Sequence, residues 1–148
     1  MSVSEEKTSV GSASIYALDS SALLAYLRGE PGERQVRGLL EAARHGRCRL
    51  LVPFMVFMEV CYRIWQIKGE EAARQAFVEL LELPIHRVDV DERSLWLACE
   101  MKAVYHLSVG DAWVLAIAIA HRANLVHKDP DFESAAQLVS MTTLPYRD

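Results

Sequence analysis

Short apolar runs alternate with longer amphipathic segments along most of the chain. Four runs have the largely apolar character of strands covered on both faces of a parallel sheet, and they lie at residues 15–18, 49–52, 85–88 and 124–127. A weaker fifth run lies at 137–141. Apolar residues recur at helical spacing in six segments between these runs: 20–28, 33–44, 53–67, 70–83, 92–105 and 110–123. This alternation predicts an α/β fold with right-handed crossovers, several of which contain two helices.

Residues 1–14, MSVSEEKTSVGSAS, lie outside this pattern because they are polar throughout. They include two glutamates and lack the apolar region of a signal peptide, so we expect a disordered tail followed by one domain at 15–148. The longest strongly apolar stretch, residues 113–120, is too short to span a bilayer, and we expect no membrane partner.

Composition and cysteine content narrow the functional class. The chain is 51% hydrophobic and 24% charged, as a globular domain is. Cys48, Cys61 and Cys99 are odd in number and lack zinc-site spacing, so we expect buried free thiols in a reducing cytoplasm. The net charge of −4 argues against a typical nucleic-acid binder, unless the acids gather where a cation neutralises them.

Two aspartates lie at predicted helix starts, where each has an ordinary structural explanation. Asp19 follows the first apolar run and could cap the helix that begins at Ser20. Asp111 opens a helix that is apolar almost all round, and the segment SVGD fits a capping box with Ser108 as N-cap and Asp111 at N3. Taken alone, each of these aspartates is better explained as a cap.

Three further acids, Glu59, Asp129 and Asp131, also have structural explanations, but these differ in strength. Glu59 lies on a largely apolar helical face, where an isolated charge is expensive, although Arg63 at i+4 could be its ion-pair partner. Capping and turn chemistry explains Asp129 and Asp131, because DPD after a strand is an ordinary turn. For Glu59 the structural and the functional interpretations are evenly balanced.

Taken together, these carboxylates predict a metal site. Asp19 and Asp129 each follow a predicted strand, and ligands of open α/β sheets bind beyond the carboxyl ends of the strands. Several carboxylates in one cleft could not all ionise without a cation. Hard oxygen ligands favour Mg²⁺ or Mn²⁺ over zinc, and a carboxylate-held metal pair suits phosphoryl displacement.

Three segments, YALDSSALLAYL, VPFMVFMEVCYR and LSVGDAWVLAIAIAHRANLVHKDPDF, resemble the PIN domain, especially the VapC-like toxins of toxin–antitoxin pairs. The resemblance covers nearly everything after the first 14 residues. It implies a Rossmann-like three-layer α/β/α sandwich around a central, mostly parallel sheet of four to five strands. It also implies a Mg²⁺- or Mn²⁺-dependent endoribonuclease that leaves 5′-phosphate and 3′-hydroxyl ends.

The resemblance assigns roles to individual residues by motif position. The implied catalytic acids and metal ligands are Asp19, Glu59, Asp111 and Asp129, with Asp131 beside them as a further ligand and Ser21 supporting the first acid. Members of the family usually form homodimers, and the toxins are inhibited by an antitoxin whose tail crosses the acidic groove, commonly with an inserted arginine. The implied partners are therefore RNA, an antitoxin and a second copy of the chain.

One residue departs from the family pattern, and one basic segment has two explanations. His127 replaces the usual Thr or Ser, and we expect it to be packed at a strand end instead of carrying protons. The arginine-rich segment 28–49 could form a phosphate-contacting rim or simply a solvated helix face.

Other functions remain open on the sequence alone. A non-toxin PIN nuclease of RNA processing would have the same acids, and a non-catalytic interaction scaffold could use them structurally. A phosphatase similar to the haloacid dehalogenases also places Asp after its first strand, but it needs a second acid where this chain has Ser21.

Overall fold

The computed structural model describes residues 14–146. Five strands alternate with helices: β1 (Ser14–Leu18), β2 (Cys48–Pro53), β3 (His86–Val88), β4 (Asn124–His127) and β5 (Met141–Thr143). Six α-helices connect them: α1 (Ser20–Arg28), α2 (Glu33–Arg44), α3 (Phe54–Lys68), α4 (Glu70–Glu82), α5 (Glu92–Val104) and α6 (Val109–Ala120). A 3-10 helix, Pro130–Ala135, follows β4. The predicted tail lies outside the described residues except for Ser14, which already belongs to β1.

All five strands are parallel and lie in the order β3-β2-β1-β4-β5. Ala17 at the centre of the sheet pairs with Leu51 on one side and Leu125 on the other. With helices on both faces, the sheet forms the predicted three-layer α/β/α sandwich of PIN type. The expected mostly parallel sheet of four to five strands is confirmed, at five strands and with no antiparallel pair among residues 14–146.

The strand order places a topological switch point between β1 and β4. The chain leaves β1 toward β2 and β3, and it enters β4 on the opposite side of β1. The segments that follow β1 and β4 therefore diverge and leave a crevice at the carboxyl edge of the sheet. Both strands are rigidly held there, because Ala17, Leu18, Leu125 and Val126 are fully buried.

Helix α6 is the central helix, as its apolar composition predicts. Its buried side chains include Val114, Leu115 and Ile117, and it contacts β1, β2, β4, α3 and α5. The helix ends three residues before the predicted position 123, because Arg122 adopts a left-handed conformation with φ 52°. The Ala123 N–H then donates to the Ala118 carbonyl at 2.9 Å and closes the helix end.

The predicted fifth strand at 137–141 is displaced toward the C-terminus. Leu138 and Val139 pack against the core from a turn, and strand pairing begins only at Met141, which lies opposite Leu125. The Leu125 N–H donates to the Ser140 carbonyl at 2.8 Å and sets this register. Apolar character identified a packed segment here but not its backbone conformation.

Two further expectations concern the surface of the molecule. All three cysteines are free as predicted, but only Cys48 is buried; Cys61 is half-buried and Cys99 is exposed. The prediction of buried thiols is wrong for Cys99 because this residue lies on the outer side of α5. No helix within residues 14–146 is long and apolar enough to cross a membrane.

Candidate metal centre

Asp19 is both a helix cap and a buried acid of the crevice. Its Oδ1 atom accepts a hydrogen bond from the Ala22 N–H at 2.9 Å, so it is the N-cap of α1. The Ser21 hydroxyl lies 2.7 Å from Oδ1 and 2.8 Å from Oδ2 of the same carboxylate. On the backbone side, the Asp19 N–H donates to the Val126 carbonyl of β4 at 3.2 Å. The capping interpretation is thus confirmed, and the cap is anchored to the strand across the switch point.

Ser21 connects the two sides of the crevice. Its hydroxyl donates to Asp19 and accepts from the Lys128 N–H at 2.9 Å, just beyond the end of β4. This contact spans the gap between the segments that follow β1 and β4. Ser21 therefore holds the first acid in place, in the position expected of a supporting residue.

Burial makes the Asp19 carboxyl a weak acid. The side chain is only 4% exposed, and its pKa is raised to about 7, mainly because burial disfavours the charged form. The charges of Asp129 and Glu59 contribute to this rise, and the hydrogen bonds from Ser21 and Ala22 oppose it. Two other acids of the predicted set, Glu59 and Asp129, therefore lie close enough to Asp19 to influence its pKa.

Asp129 begins the 3-10 helix and lies opposite Asp111. Its Oδ1 accepts from the Asp131 N–H at 2.9 Å, so the predicted turn chemistry is present. The Asp129 carboxylate lies close enough to Asp111 for its charge to raise the Asp111 pKa.

Asp111 lies in the first turn of α6 and is half-buried. The Ser108 side chain accepts from the Asp111 N–H at 3.1 Å, which is the first bond of the predicted capping box. The Asp111 carboxyl itself interacts with Asp129. The Asp111 pKa is raised to about 7, mainly by burial, and the charges of Asp129, Asp19 and Glu59 contribute to the rise.

Glu59 lies against the N-terminal turn of α6. A Cβ atom on Gly110 would lie 3.3 Å from both Glu59 carboxylate oxygens, so any larger residue would make the Glu59 carboxylate shift by a few tenths of an ångström. The partial positive charge of the helix N-terminus favours a carboxylate there. Burial raises the Glu59 pKa, Arg63 lowers it and Asp129 raises it, but no Glu59–Arg63 ion pair forms in the described part of the chain. The ion-pair explanation of Glu59 is therefore the weaker one.

Three of the five predicted acids form a compact group. Oxygen atoms of Asp111, Asp129 and Asp131 all lie within 4.8 Å of one another. Asp19 and Glu59 lie outside this group, but the Asp129 charge raises the pKa of both, and both raise the pKa of Asp111. An all-oxygen donor set fits Mg²⁺ or Mn²⁺, and a cation would relieve the repulsion that helps to raise the pKa values of Asp19, Glu59 and Asp111.

His127 is a packing residue, as expected. It is fully buried, its ring meets Phe132 edge-on at 5.0 Å, and burial lowers its pKa. The Asp129 N–H donates to Nδ1 at 3.1 Å, so the proton of the neutral ring lies on Nε2, which is 3.4 Å from the Thr143 hydroxyl oxygen. His127 thus holds the Asp129 backbone in place through this hydrogen bond.

The sequence interpretation missed Gly110 and Thr143 as supports of the site. A glycine directly before an acid at a helix start was the available signal for Gly110. No local pattern links Thr143 to His127, because that contact depends on the pairing of β4 with β5.

The arginine-rich segment 28–49 has at least one arginine that serves the helix surface. Arg37 pairs with Glu33 on α2, which favours the solvated-face explanation there.

Comparison with known proteins agrees with this geometry. The family model of the PIN domain matches residues 16–138. A search of curated protein sequences found no match. Among solved structures, VapBC2 from Rickettsia felis, bound to a DNA fragment from its promoter, has a TM-score of 0.72 at 18% identity, covering 88% of this chain and 99% of that one.

Two further structures are similar in fold. VapC20 from Mycobacterium tuberculosis, described as a toxin that cleaves the sarcin–ricin loop, has a TM-score of 0.67 at 21% identity, covering 89% of this chain and 100% of that one. A toxin–antitoxin complex from Klebsiella pneumoniae has a TM-score of 0.62 at 22% identity, covering 90% and 99%. At these identities the likeness establishes a shared fold.

Proposed function

The chain belongs to the PIN domain family, and from this premise we propose that it is a Mg²⁺- or Mn²⁺-dependent endoribonuclease and the toxin of a toxin–antitoxin pair. The observation that carries the proposal is the convergence of Asp111, Asp129 and Asp131 within 4.8 Å, beside Asp19 and Glu59. Capping alone does not require carboxylates from α3, α6 and the segments after β1 and β4 to meet at one crevice.

Each acid has a part in holding the ion. Asp111, Asp129 and Asp131 would supply the closest oxygens, and Asp19 and Glu59 would complete the donor set. A bound divalent ion supplies activation of water and neutralisation of charge at the scissile phosphate. The described residues orient the donors: Ser21 holds Asp19, His127 holds the Asp129 backbone, and Gly110 admits Glu59. Products with 5′-phosphate and 3′-hydroxyl ends are expected.

An antitoxin partner is supported by the apolar surface between α1, α3 and α4. A groove of about 200 Å³ there is lined by side chains that include Leu27, Ile64, Ile67 and Ala76. Such a groove suits the apolar face of an amphipathic helix. One structural neighbour is a toxin–antitoxin complex and another is VapBC2, and we propose an antitoxin partner here.

A homodimer is supported by a second apolar surface, on α5 and α6. Trp96 is 71% exposed, and Val104 and Val109 are also exposed, beside a groove of about 370 Å³ whose lining includes Leu95 and Trp113. Large exposed apolar patches are typical of protein interfaces. We propose that a second copy of the chain covers this surface.

Cleavage of a labelled single-stranded RNA panel tests the proposed activity. Purified, partner-free protein is incubated with Mg²⁺, Mn²⁺ or EDTA, beside Asp111→Asn and the control Asp89→Asn, whose exposed carboxylate pairs with Arg87 far along the sheet edge. Cutting that needs the metal and is lost only in Asp111→Asn supports the nuclease. Absence of both cutting and Mn²⁺ binding in the folded wild type would refute it.

Growth assays separate the toxin from the remaining alternatives. Expression of the wild type should arrest growth, and Asp111→Asn should abolish the arrest while Asp89→Asn retains it. A processing nuclease would cut RNA without arresting growth. An interaction scaffold would give the same phenotype with or without the Asp111 carboxylate.

A further inference from the structure

A basic groove opens next to the acidic crevice. We use this name for the cavity of about 370 Å³ lined by Arg28, Arg63, Lys128, Glu30, Tyr62 and Gln66, with Ser21 on its wall. Its volume lies at the lower end of the ~300–1,000 Å³ of small-ligand sites. The groove therefore has room for a short stretch of an extended chain but not for a folded element.

The basic groove is a direct continuation of the acidic site. Ser21 belongs to both, because its hydroxyl donates to the Asp19 carboxylate while its side chain lines the groove. Lys128 immediately precedes Asp129, and Arg63 follows Glu59 by one turn of α3. A chain whose reacting group lies at the acids would thus pass these cations on its way out of the crevice.

The charge of the groove is opposite to that of its surroundings. Three cations and one carboxylate line it, whereas the whole chain has a net charge of −4 and the adjacent crevice holds five acids. Arg28 already pairs with Glu30 at 3.1 Å, so Arg63 and Lys128 carry the excess positive charge. Cations placed beside a cluster of like acids attract an anion where the rest of the site repels it.

We propose that the basic groove binds the phosphate backbone of the RNA substrate next to the scissile phosphate; this inference rests on the proposed nuclease function. A regularly charged polyanion can meet both Arg63 and Lys128, and a neighbouring aromatic ring favours nucleic acid over an acidic peptide. Tyr62 is 39% exposed in the groove, with the Arg63 guanidinium carbon 5.9 Å from its ring centroid. Such a pair suits stacking of an unpaired base.

Salt-dependent RNA binding provides the test. Fluorescence anisotropy of labelled oligouridylate is measured in EDTA, which keeps the RNA intact, over a range of KCl concentrations. The variants are Arg63→Gln, Lys128→Gln and Glu30→Gln. The matched control is Arg74→Gln, which removes an exposed arginine of α4 that pairs with Glu70 at 2.8 Å, outside the groove.

The expected results differ in sign among the variants. Each phosphate contact to a single strand contributes about 0.7 to the slope of log affinity against log salt, so Arg63→Gln and Lys128→Gln should each lower the slope by about 0.7 and the affinity about fivefold near ~0.1 M salt. Glu30→Gln should tighten binding by a similar factor because it frees Arg28. Arg74→Gln should bind like the wild type.

Binding of Arg63→Gln and Lys128→Gln that matches the wild type in affinity and slope would overturn the proposal. Weakened binding of a polyglutamate peptide with unchanged RNA binding would overturn it as well, and would assign the groove to a protein partner. In cleavage assays with Mn²⁺, both variants should raise KM; Lys128→Gln should do so with little change in the single-turnover rate at saturating RNA, whereas Arg63→Gln should also lower that rate because Arg63 favours the ionised form of Glu59.

The two proposals fail in different ways. If the wild type binds oligouridylate with the expected variant pattern but never cuts RNA, the proposed role of the basic groove stands and the proposed nuclease activity is refuted. If the wild type cuts RNA while the groove variants bind RNA normally, the nuclease activity stands and the role of the groove is refuted.

Discussion

Replacing Asp19 by asparagine should stabilise the metal-free protein above neutral pH, even though Asp19 caps α1. Asparagine keeps an oxygen that accepts from the Ala22 N–H and the Ser21 hydroxyl, and it is as good an N-cap as aspartate. The substitution therefore removes mainly the negative charge. That charge is unfavourable in the folded protein, because Asp19 is 4% exposed and lies near two other acids.

The magnitude follows from the Asp19 pKa, which rises from 3.8 to about 7 on folding. At ~1.4 kcal/mol per pKa unit, ionising the folded carboxyl costs about 4 kcal/mol more than ionising the unfolded one. Local relaxation and water entry reduce this value, so we expect a gain in the free energy of unfolding of about 2–4 kcal/mol at about pH 8.

The sign of the pH dependence follows from the same values. Between its unfolded pKa of 3.8 and its folded pKa of about 7, the folded Asp19 binds more protons than the unfolded one. Stability is therefore highest below this window, falls as pH rises through it, and is constant above it. His127 has the opposite effect, because its pKa is lowered on folding, so the comparison is made between wild type and variant at equal pH.

Urea denaturation in EDTA measures the effect at about pH 5 and about pH 8. The difference in unfolding free energy between Asp19→Asn and wild type should be smaller at the lower pH and should favour the variant more at the higher pH, because a pH of about 5 lies near the start of the window between the two pKa values. Saturating Mn²⁺ should reverse the order, because an ion that binds only the folded wild type stabilises it. If Asp19→Asn is less stable than wild type at both pH values in EDTA, ionisation of Asp19 does not destabilise the folded protein, and the reasoning is refuted.

Three further substitutions test the supports of the site. Asp111→Asn should weaken Mn²⁺ binding at least about tenfold by calorimetry, because it removes one of the converging oxygens; unchanged affinity would exclude Asp111 as a ligand. Gly110→Ala should reduce Mn²⁺ affinity and cleavage without lowering the melting temperature, since its methyl group would crowd both Glu59 oxygens at 3.3 Å while alanine favours the helix by about 1 kcal/mol; normal activity would show that the close contact is dispensable. Ser21→Ala should lower the unfolding free energy by about 1–3 kcal/mol in urea titrations, because it leaves a buried acid and a backbone N–H with one partner fewer; the exposed Ser134→Ala is the control, and equal effects of the two would contradict the bridging role.

Local chemistry made the fold and the acids predictable. The buried apolar runs at β1 and β4 suit strands of a parallel sheet, and acids one or two residues after these strands must then lie at the same edge. The caps at Asp19 and Ser108 mark helix starts that the structure confirms. These features depend on residues close in sequence, which is why a single sequence sufficed.

Other features depend on distant pairing and were not predictable. The position of α6 beside the segment after β4 decides which acids approach most closely. It places the Asp111 carboxylate nearer to Asp129 and Asp131 than to Asp19. The displacement of β5 is of the same kind, because its register is set by the Leu125–Ser140 hydrogen bond across the sheet. Neither the approach of Asp111 to these acids nor the register of β5 can be read from the local sequence.

The choice between cap and metal ligand turns out not to be exclusive. Asp19 and Asp129 each accept a backbone N–H at a helix start, and these bonds orient their carboxylates before any ion arrives. Orientation by capping leaves the mutual repulsion of the acids in place, and burial together with this repulsion raises the pKa values of Asp19 and Asp111. A divalent ion would release it, so metal affinity and the stability of the loaded protein should rise together with pH until both acids are ionised.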